Sequence, residues 1–189
     1  MRLFVALDFP DGVRDAVREL IAALKPLCKG ARWMRPEAMH ITLKFIGYTK
    51  EENLGPIYEA LGQVHSDAAV EMRFRGVGFF PNERHPRVAW CGIESSKNLG
   101  ELAADIESAL ELLGIERERR EFAAHLTLAR FESPSSTREL VDKAEEMKTL
   151  DFGATRETEF HLYESTLKPS GSEYRKVASF PFVKGAARQ

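Results

Sequence analysis

Two tetrapeptides, His40-Ile41-Thr42-Leu43 and His125-Leu126-Thr127-Leu128, constrain this chain more than anything else in it. In an extended strand, side chains alternate between faces. His40 and Thr42 then share one face, with Ile41, Leu43 and Phe45 on the other. His125 and Thr127 are set in the same way against Leu126 and Leu128. Each stretch offers an imidazole and a hydroxyl to one side while its apolar residues anchor the strand in a core. One histidine with a threonine two residues on is an ordinary coincidence, since strand histidines usually serve as hydrogen-bonding residues. The recurrence is what carries information.

The recurrence extends to the surroundings. Leu3 to Leu7 reads as a buried strand closed by Asp8-Phe9-Pro10. Asp11 is placed to cap a helix with the stripe Val13, Val17, Leu20 and Leu24, followed by the first histidine strand, Met39 to Gly47. A second helix spans Glu51 to Val64, with Pro56 implying a late start or a distorted first turn. Val70 to Pro81 and Arg87 to Ile93 read as a hairpin. Asn98 is placed to cap the next helix, which carries Leu99, Leu102, Ile106, Leu110 and Leu113 inward and stops at Gly114. The second histidine strand, Phe122 to Phe131, follows. Ser133-Pro134-Ser135-Ser136 opens a helix with Leu140, Val141, Ala144 and Met147, and two closing strands, Glu157 to Leu167 and Tyr174 to Phe182, flank the turn at 169–172. The tail from Lys184 is expected to fray. Helix, histidine strand, helix, strand, strand thus occurs twice. The expected fold is α+β: two pseudo-symmetric lobes, each an antiparallel sheet with flanking helices, around a central active-site groove. Residues 1–189 form one bilobal domain with duplicated units over about 11–95 and 98–182.

Two imidazoles and two hydroxyls facing one groove suit phosphate-ester chemistry. One nitrogen takes a proton from water, the other gives one to the leaving oxygen, and the hydroxyls hold the phosphoryl oxygens. Histidine serves either role because its unperturbed pKa lies near 6.5. The formal net charge of −2 argues against coating a polyanion, so a nucleic acid would be gripped locally, at one phosphate or one end. Lys25, Lys29, Arg32 and Arg35 read as a solvated helix end. Cys28 and Cys91 read as reduced thiols, and with no signal peptide or spanning apolar run the chain is expected to be cytoplasmic, off the membrane and monomeric.

These residues resemble a known family. Met39 to Gly47 (MHITLKFIG) and Phe122 to Arg130 (FAAHLTLAR) are similar to the paired HxTx motifs of the 2H phosphoesterases, and more narrowly of the RNA 2′,3′-cyclic phosphodiesterases of the ThpR/LigT group, also called 2′-5′ RNA ligases. Arg2 to Leu7, Pro86 to Trp90, and Leu162 to Ser165 with Gly171 and Tyr174 extend the likeness over nearly the whole chain. The resemblance implies hydrolysis of an RNA 2′,3′-cyclic phosphate to a 2′-phosphomonoester with neither metal nor cofactor. It implies His40 as general acid, His125 as base, and Thr42 and Thr127 as phosphate ligands, though the residues themselves leave open which histidine does which. Arg130 is a further phosphate-binding candidate, but strict alternation points it away from His125. Ala124 stands where relatives often carry proline. RNA ends or small cyclic nucleotides are the implied partners, and 2′-5′ ligation the implied reverse reaction. Alternatives are a phosphodiesterase for a small nucleotide such as ADP-ribose 1″,2″-cyclic phosphate, and a non-catalytic nucleotide-binding module. Lys44 reads as a rim lysine; His65, His85 and His161 as solvated; Phe4, Phe45 and Phe79 as core; and Tyr174 as a candidate for base stacking.

Overall fold

The chain was described from a computed structural model, which covers residues 1–132, 137–168 and 171–182. Its strands are β1 (Arg2–Leu7), β2 (Arg32–Trp33), β3 (Ile41–Tyr48), β4 (Val70–Phe80), β5 (Val88–Ser95), β6 (His125–Arg130), β7 (Asp151–Glu157), β8 (Glu159–Lys168) and β9 (Gly171–Pro181). Its α-helices are α1 (Asp11–Leu24), α2 (Leu54–Leu61), α3 (Asn98–Glu111) and α4 (Arg138–Glu146). They build a four-stranded antiparallel sheet, β3-β1-β8-β9, and a five-stranded one, β2-β6-β5-β4-β7. The expected α+β architecture of two sheets with flanking helices is therefore present.

How the repeat maps onto the sheets is not legible in the sequence. Each histidine strand pairs with the strand that precedes it across one helix: β3 with β1, and β6 with β5. Later strands then cross over: β4, after α2, joins the sheet of β6, whereas β7, the first strand after α4, stays in that sheet and β8 joins the sheet of β3. Each sheet thus takes strands from both halves of the chain, and β1 and β5 occupy equivalent places.

Both sheets and all four helices bury a single apolar core. Leu3, Val5 and Leu7 of β1 meet Val13, Val17, Leu20 and Leu24 of α1, and Met72 and Phe74 of β4 join the same cluster. The expected helical stripes are buried apart from Leu113, which lies past the end of α3 and is 42% exposed, and Val141 and Met147 at α4, which are half-buried. Two capping expectations are corrected. Asp11 makes no capping bond; the carbonyl of Pro10, one residue earlier, accepts from Val13 and Arg14. Asn98 does not cap α3 either. Its amide donates to Ser66 Oγ and to the carbonyls of Ala68 and Ala69, stitching α3 to the segment before β4. Pro56 does split the second helix: a 3₁₀ turn at Glu51–Asn53 precedes α2, and the proline sits in the first turn, where no amide hydrogen is needed.

The hairpin strand β4 spans the expected stretch, and Gly76 carries it through a bulge with φ 71°, where a β-carbon would lie 2.5 Å from the Lys148 carbonyl. β7 has no counterpart among the expected strands; of its residues only Phe152 is buried, too little apolar content to signal a strand. The helix opening at Ser133 to Ser136, the turn at 169–170 and the tail lie outside the described residues.

Candidate active site

A shared irregularity in the two histidine strands sets out the site. Along β1, Phe4, Val5, Ala6 and Leu7 pair with Phe45, Lys44, Thr42 and Ile41, so Leu43 has no partner. Along β5, Val88, Ala89, Trp90 and Cys91 pair with Arg130, Ala129, Thr127 and Leu126, so Leu128 has none. In each strand the skipped residue stands three after the histidine. A bulge shifts the alternation by one from that point on.

Three expectations built on unbroken alternation change as a result. Phe45 comes round to the face of Thr42 and is 61% exposed, so it is not core. Lys44 turns inward, 4% exposed, and its ammonium meets Glu107 Oε2 at 2.7 Å and the Glu116 carbonyl at 2.6 Å; it is not a rim lysine. Arg130 comes onto the face of His125 and Thr127, because its partner Val88 alternates regularly with Trp90 and Gly92, which face Thr127 and His125.

Around His40 the sheet presents Phe4, Ala6 and Tyr163 as a small cluster apart from the main core, with Tyr174 against it. The His40 ring lies 4.3 Å from that of Tyr163, 5.4 Å from Tyr174 and 5.8 Å from Phe4, centroid to centroid. Tyr174 therefore packs against the histidine. Asp8 stands 3.7 Å from His40 Nε2. Its carboxylate accepts from the Tyr163 hydroxyl at 2.5 Å and from Lys176 at 2.7 Å. Burial alone would raise the Asp8 pKa, but the bonds from Lys176 and Tyr163 outweigh it and hold the group below the usual carboxylate range. Behind it lies His161, which is buried rather than solvated as the sequence suggests. It bonds to Ser179 Oγ at 2.8 Å, and its Nε2 is 3.5 Å from Asp8.

Burial among these rings pushes His40 down from 6.5 to about 4, against the upward pull of Asp8. Its Nδ1 is buried without a hydrogen bond. His40 is thus neutral in the free protein at pH 7. Its folded pKa is below the unfolded one, so the unfolded chain binds more protons between these values, and the neutral form's stabilisation is present above 6.5 and lost as pH falls toward 4. Burial depresses His161 in the same direction. Urea unfolding at about pH 7 and about pH 4.5 should show the wild type losing about 2–3 kcal/mol more than His40→Gln on acidification. Equal losses in the two proteins would contradict this environment.

His125 is differently placed. Its Nδ1 lies 2.8 Å from the Ala123 carbonyl. A carbonyl only accepts, so in the neutral ring the proton sits on Nδ1 and Nε2 keeps its lone pair. Phe80 meets the ring edge-on at 5.1 Å and in turn touches Trp90 at 5.3 Å. The indole lies flat over Gly78, where a β-carbon would come within 2.3 Å of it, so glycine is required there. Trp90 Nε1 is the second buried nitrogen without a hydrogen bond among the described residues, and both belong to the two histidine faces.

A connector ties the faces together. β2 pairs with β6, the Met34 amide donates to the Leu128 carbonyl, and Arg35 reaches across to the Ser172 carbonyl of β9. His40 follows within a few residues. Of the expected site residues, His40 and Thr42 lie on one sheet, and His125, Thr127 and Arg130 on the other. The sequence reading passes over Asp8, Tyr163 and Lys176. Asp8 had a signal: Phe4, Ala6 and Asp8 follow the strand period onto one face. Among the described residues, no group of three or more histidine, cysteine, aspartate or glutamate side chains is set to hold a metal ion. His65 and His85 are exposed, as expected.

A duplicated α+β frame with one histidine–threonine pair on each of two sheets defines the two-histidine phosphoesterase class. The family model of LigT like phosphoesterases matches residues 7–90 and 92–174. The RNA 2′,3′-cyclic phosphodiesterase of Archaeoglobus fulgidus is 36% identical over 180 residues, covering 95% of this chain and 99% of its own. That of Methanocaldococcus jannaschii is 34% identical over 177 residues, with coverages of 94% and 98%. A crystal structure from Thermus thermophilus superimposes with a TM-score of 0.79 at 32% identity, over 96% of this chain and 98% of the other. Escherichia coli LigT, crystallised with 3′-AMP, shares the fold with a TM-score of 0.80 at 23% identity over 97% and 98%. This chain belongs to the LigT like phosphoesterase family.

Proposed function

We propose that the protein hydrolyses the 2′,3′-cyclic phosphodiester at an RNA 3′ end to a 2′-phosphomonoester, with His40 and His125 as the proton-transfer pair. The observation that carries this reading is the recurrence of a histidine–threonine pair on each of the two sheets, with different polar groups beside the two rings. His125, with its Nδ1 proton held by Ala123, offers a free Nε2 to a water. His40 faces the Asp8 carboxylate, which favours an imidazolium, and an arriving phosphodiester anion adds to that pull. Water attacks phosphorus and gives its proton to His125. The P–O3′ bond breaks, and O3′ takes a proton from His40 as it leaves. Solvent exchange then restores both rings. Thr42 and Thr127 donate to the non-bridging oxygens as charge shifts onto them, and Arg130 adds positive charge at the edge of that face. With an RNA 5′-hydroxyl in place of water as the nucleophile, the same proton transfers open the cyclic phosphate to a 2′-5′ phosphodiester, O3′ again leaving with a proton from His40.

The names carried by the relatives support the substrate, RNA 2′,3′-cyclic phosphate. In this reading the protein acts as a monomer in the cytoplasm, where the buried cysteines Cys28 and Cys91 stay reduced. None of the helices is long and apolar enough to cross a membrane among the described residues. The test is incubation in EDTA with an oligonucleotide ending in a 2′,3′-cyclic phosphate, following the appearance of a 2′-phosphate end. Turnover should exceed that of ADP-ribose 1″,2″-cyclic phosphate in kcat/KM. Binding without turnover would instead make the protein a nucleotide-binding module.

A further inference from the structure

Arg32 and Arg130 stand directly opposite one another across the β2–β6 pair. Directly opposed residues of an antiparallel pair point to the same face, and like charges in that position oppose pairing. Both are exposed, and neither has a carboxylate or carbonyl partner among the described residues. Nearby arginines differ: Arg35 donates to the Ser172 carbonyl and Arg87 to that of Glu132. The face is that of the site. Trp33, next to Arg32, pairs with the buried Ala129 and packs on the core, so Arg32 points the other way, with Arg130, Thr127 and His125.

Two unneutralised guanidiniums side by side make a bidentate site for an anion with several oxygens. They stand beyond Thr127, one step further along the face from His125. Val88 and Trp90, two residues apart on one strand, are the partners of Arg130 and Thr127, which puts the backbones about 7 Å apart. The separation is more than one phosphoryl group spans, and the arginine side chains extend it. We infer that Arg32 and Arg130 form a second phosphate site, which takes the phosphoryl group on the 5′ oxygen of the nucleoside bearing the cyclic phosphate. This inference rests on the proposed function and adds a substrate preference to it. That phosphoryl group is a diester in an RNA chain and a monoester in a 5′-phosphorylated mononucleotide.

Three substrates separate the cases: a nucleoside 2′,3′-cyclic phosphate, its 5′-phosphorylated form, and a dinucleotide whose 3′ end is the cyclic phosphate. Wild-type kcat/KM should favour the two substrates with a second phosphoryl group by about 10- to 100-fold over the first. Preference for the dinucleotide alone identifies the diester as the ligand, and preference for both identifies the phosphoryl group whatever its attachment. In Arg32→Gln and Arg130→Gln the ratio should fall toward one. The logarithmic salt slope for the dinucleotide should become shallower by about 0.7 for each guanidinium removed from its phosphate. Melting of the free variants should occur no lower than in wild type, because a like-charge opposition has been removed. A ratio near one in wild type, a ratio unchanged in the variants, or equal losses on all three substrates would overturn the inference. Absence of turnover on all three in wild type would instead remove the proposed function.

Discussion

His40→Ala and His125→Ala should each lower kcat on a 2′,3′-cyclic-phosphate oligonucleotide by about 10²- to 10⁴-fold, the range of positioned acid–base catalysis. The losses should not multiply in the double variant, because in the proposed mechanism each ring acts on the same phosphorus in the same step. Each single variant should also lose one limb of the bell-shaped pH dependence of kcat/KM. Structure should survive in both. His40 sits among Phe4, Tyr163 and Tyr174 at the site face, and His125 lies against Phe80 with one bond to a carbonyl. Far-ultraviolet dichroism and melting before the assay check this. A variant that keeps activity within tenfold of wild type would exclude its histidine from proton transfer.

Lys44→Met should cost about 3–5 kcal/mol of folding stability, because it leaves Glu107 as a buried charge without its cation. The two side chains are 3% and 14% exposed, too dry for water to replace the partner. The pair does more than hold two charges. Glu107 Oε2 also accepts from the Glu118 amide, and Lys44 Nζ bonds the Glu116 carbonyl. The His40 strand is thereby fastened to α3 and to the segment that leads into His125. Urea unfolding of Lys44→Met, Glu107→Gln and the apolar pair Lys44→Met/Glu107→Leu measures this. Each single variant should be destabilised and the double variant should recover most of the loss. Singles within about 1 kcal/mol of wild type would mean the pair contributes little.

Much of this site can be read from local pattern. The spacing of histidine and threonine, the buried first strand and the helical stripes are all short-range features, set by the periods of strand and helix. Even Asp8 follows from strand alternation beyond Ala6. Alternation fails at Lys44, Phe45 and Arg130, three or more residues past each histidine. The local sequence there alternates acceptably, and only pairing with β1 and β5 leaves Leu43 and Leu128 without partners. A bulge belongs to two strands at once, so neither strand's own sequence declares it. His161 escapes local reading for a related reason. It stands between Glu159 and Tyr163 on a strand that looks half polar, yet β1 and β9 cover it from either side, with Ala6 and Ser179 as its partners.

By itself, then, the sequence determined the elements and the chemistry each carries: two strands with an imidazole and a hydroxyl on one face, because side-chain direction within a strand depends on nothing beyond the backbone period. Tertiary structure decided which strands share a sheet, where alternation breaks, and which charges are dry. It sends β4 and β8 across to the opposite sheets, buries Lys44 against Glu107, and turns Arg130 to stand beside Arg32. Those outcomes depend on contacts between residues far apart in the chain, whose free energies come from pairing and burial that local sequence does not encode.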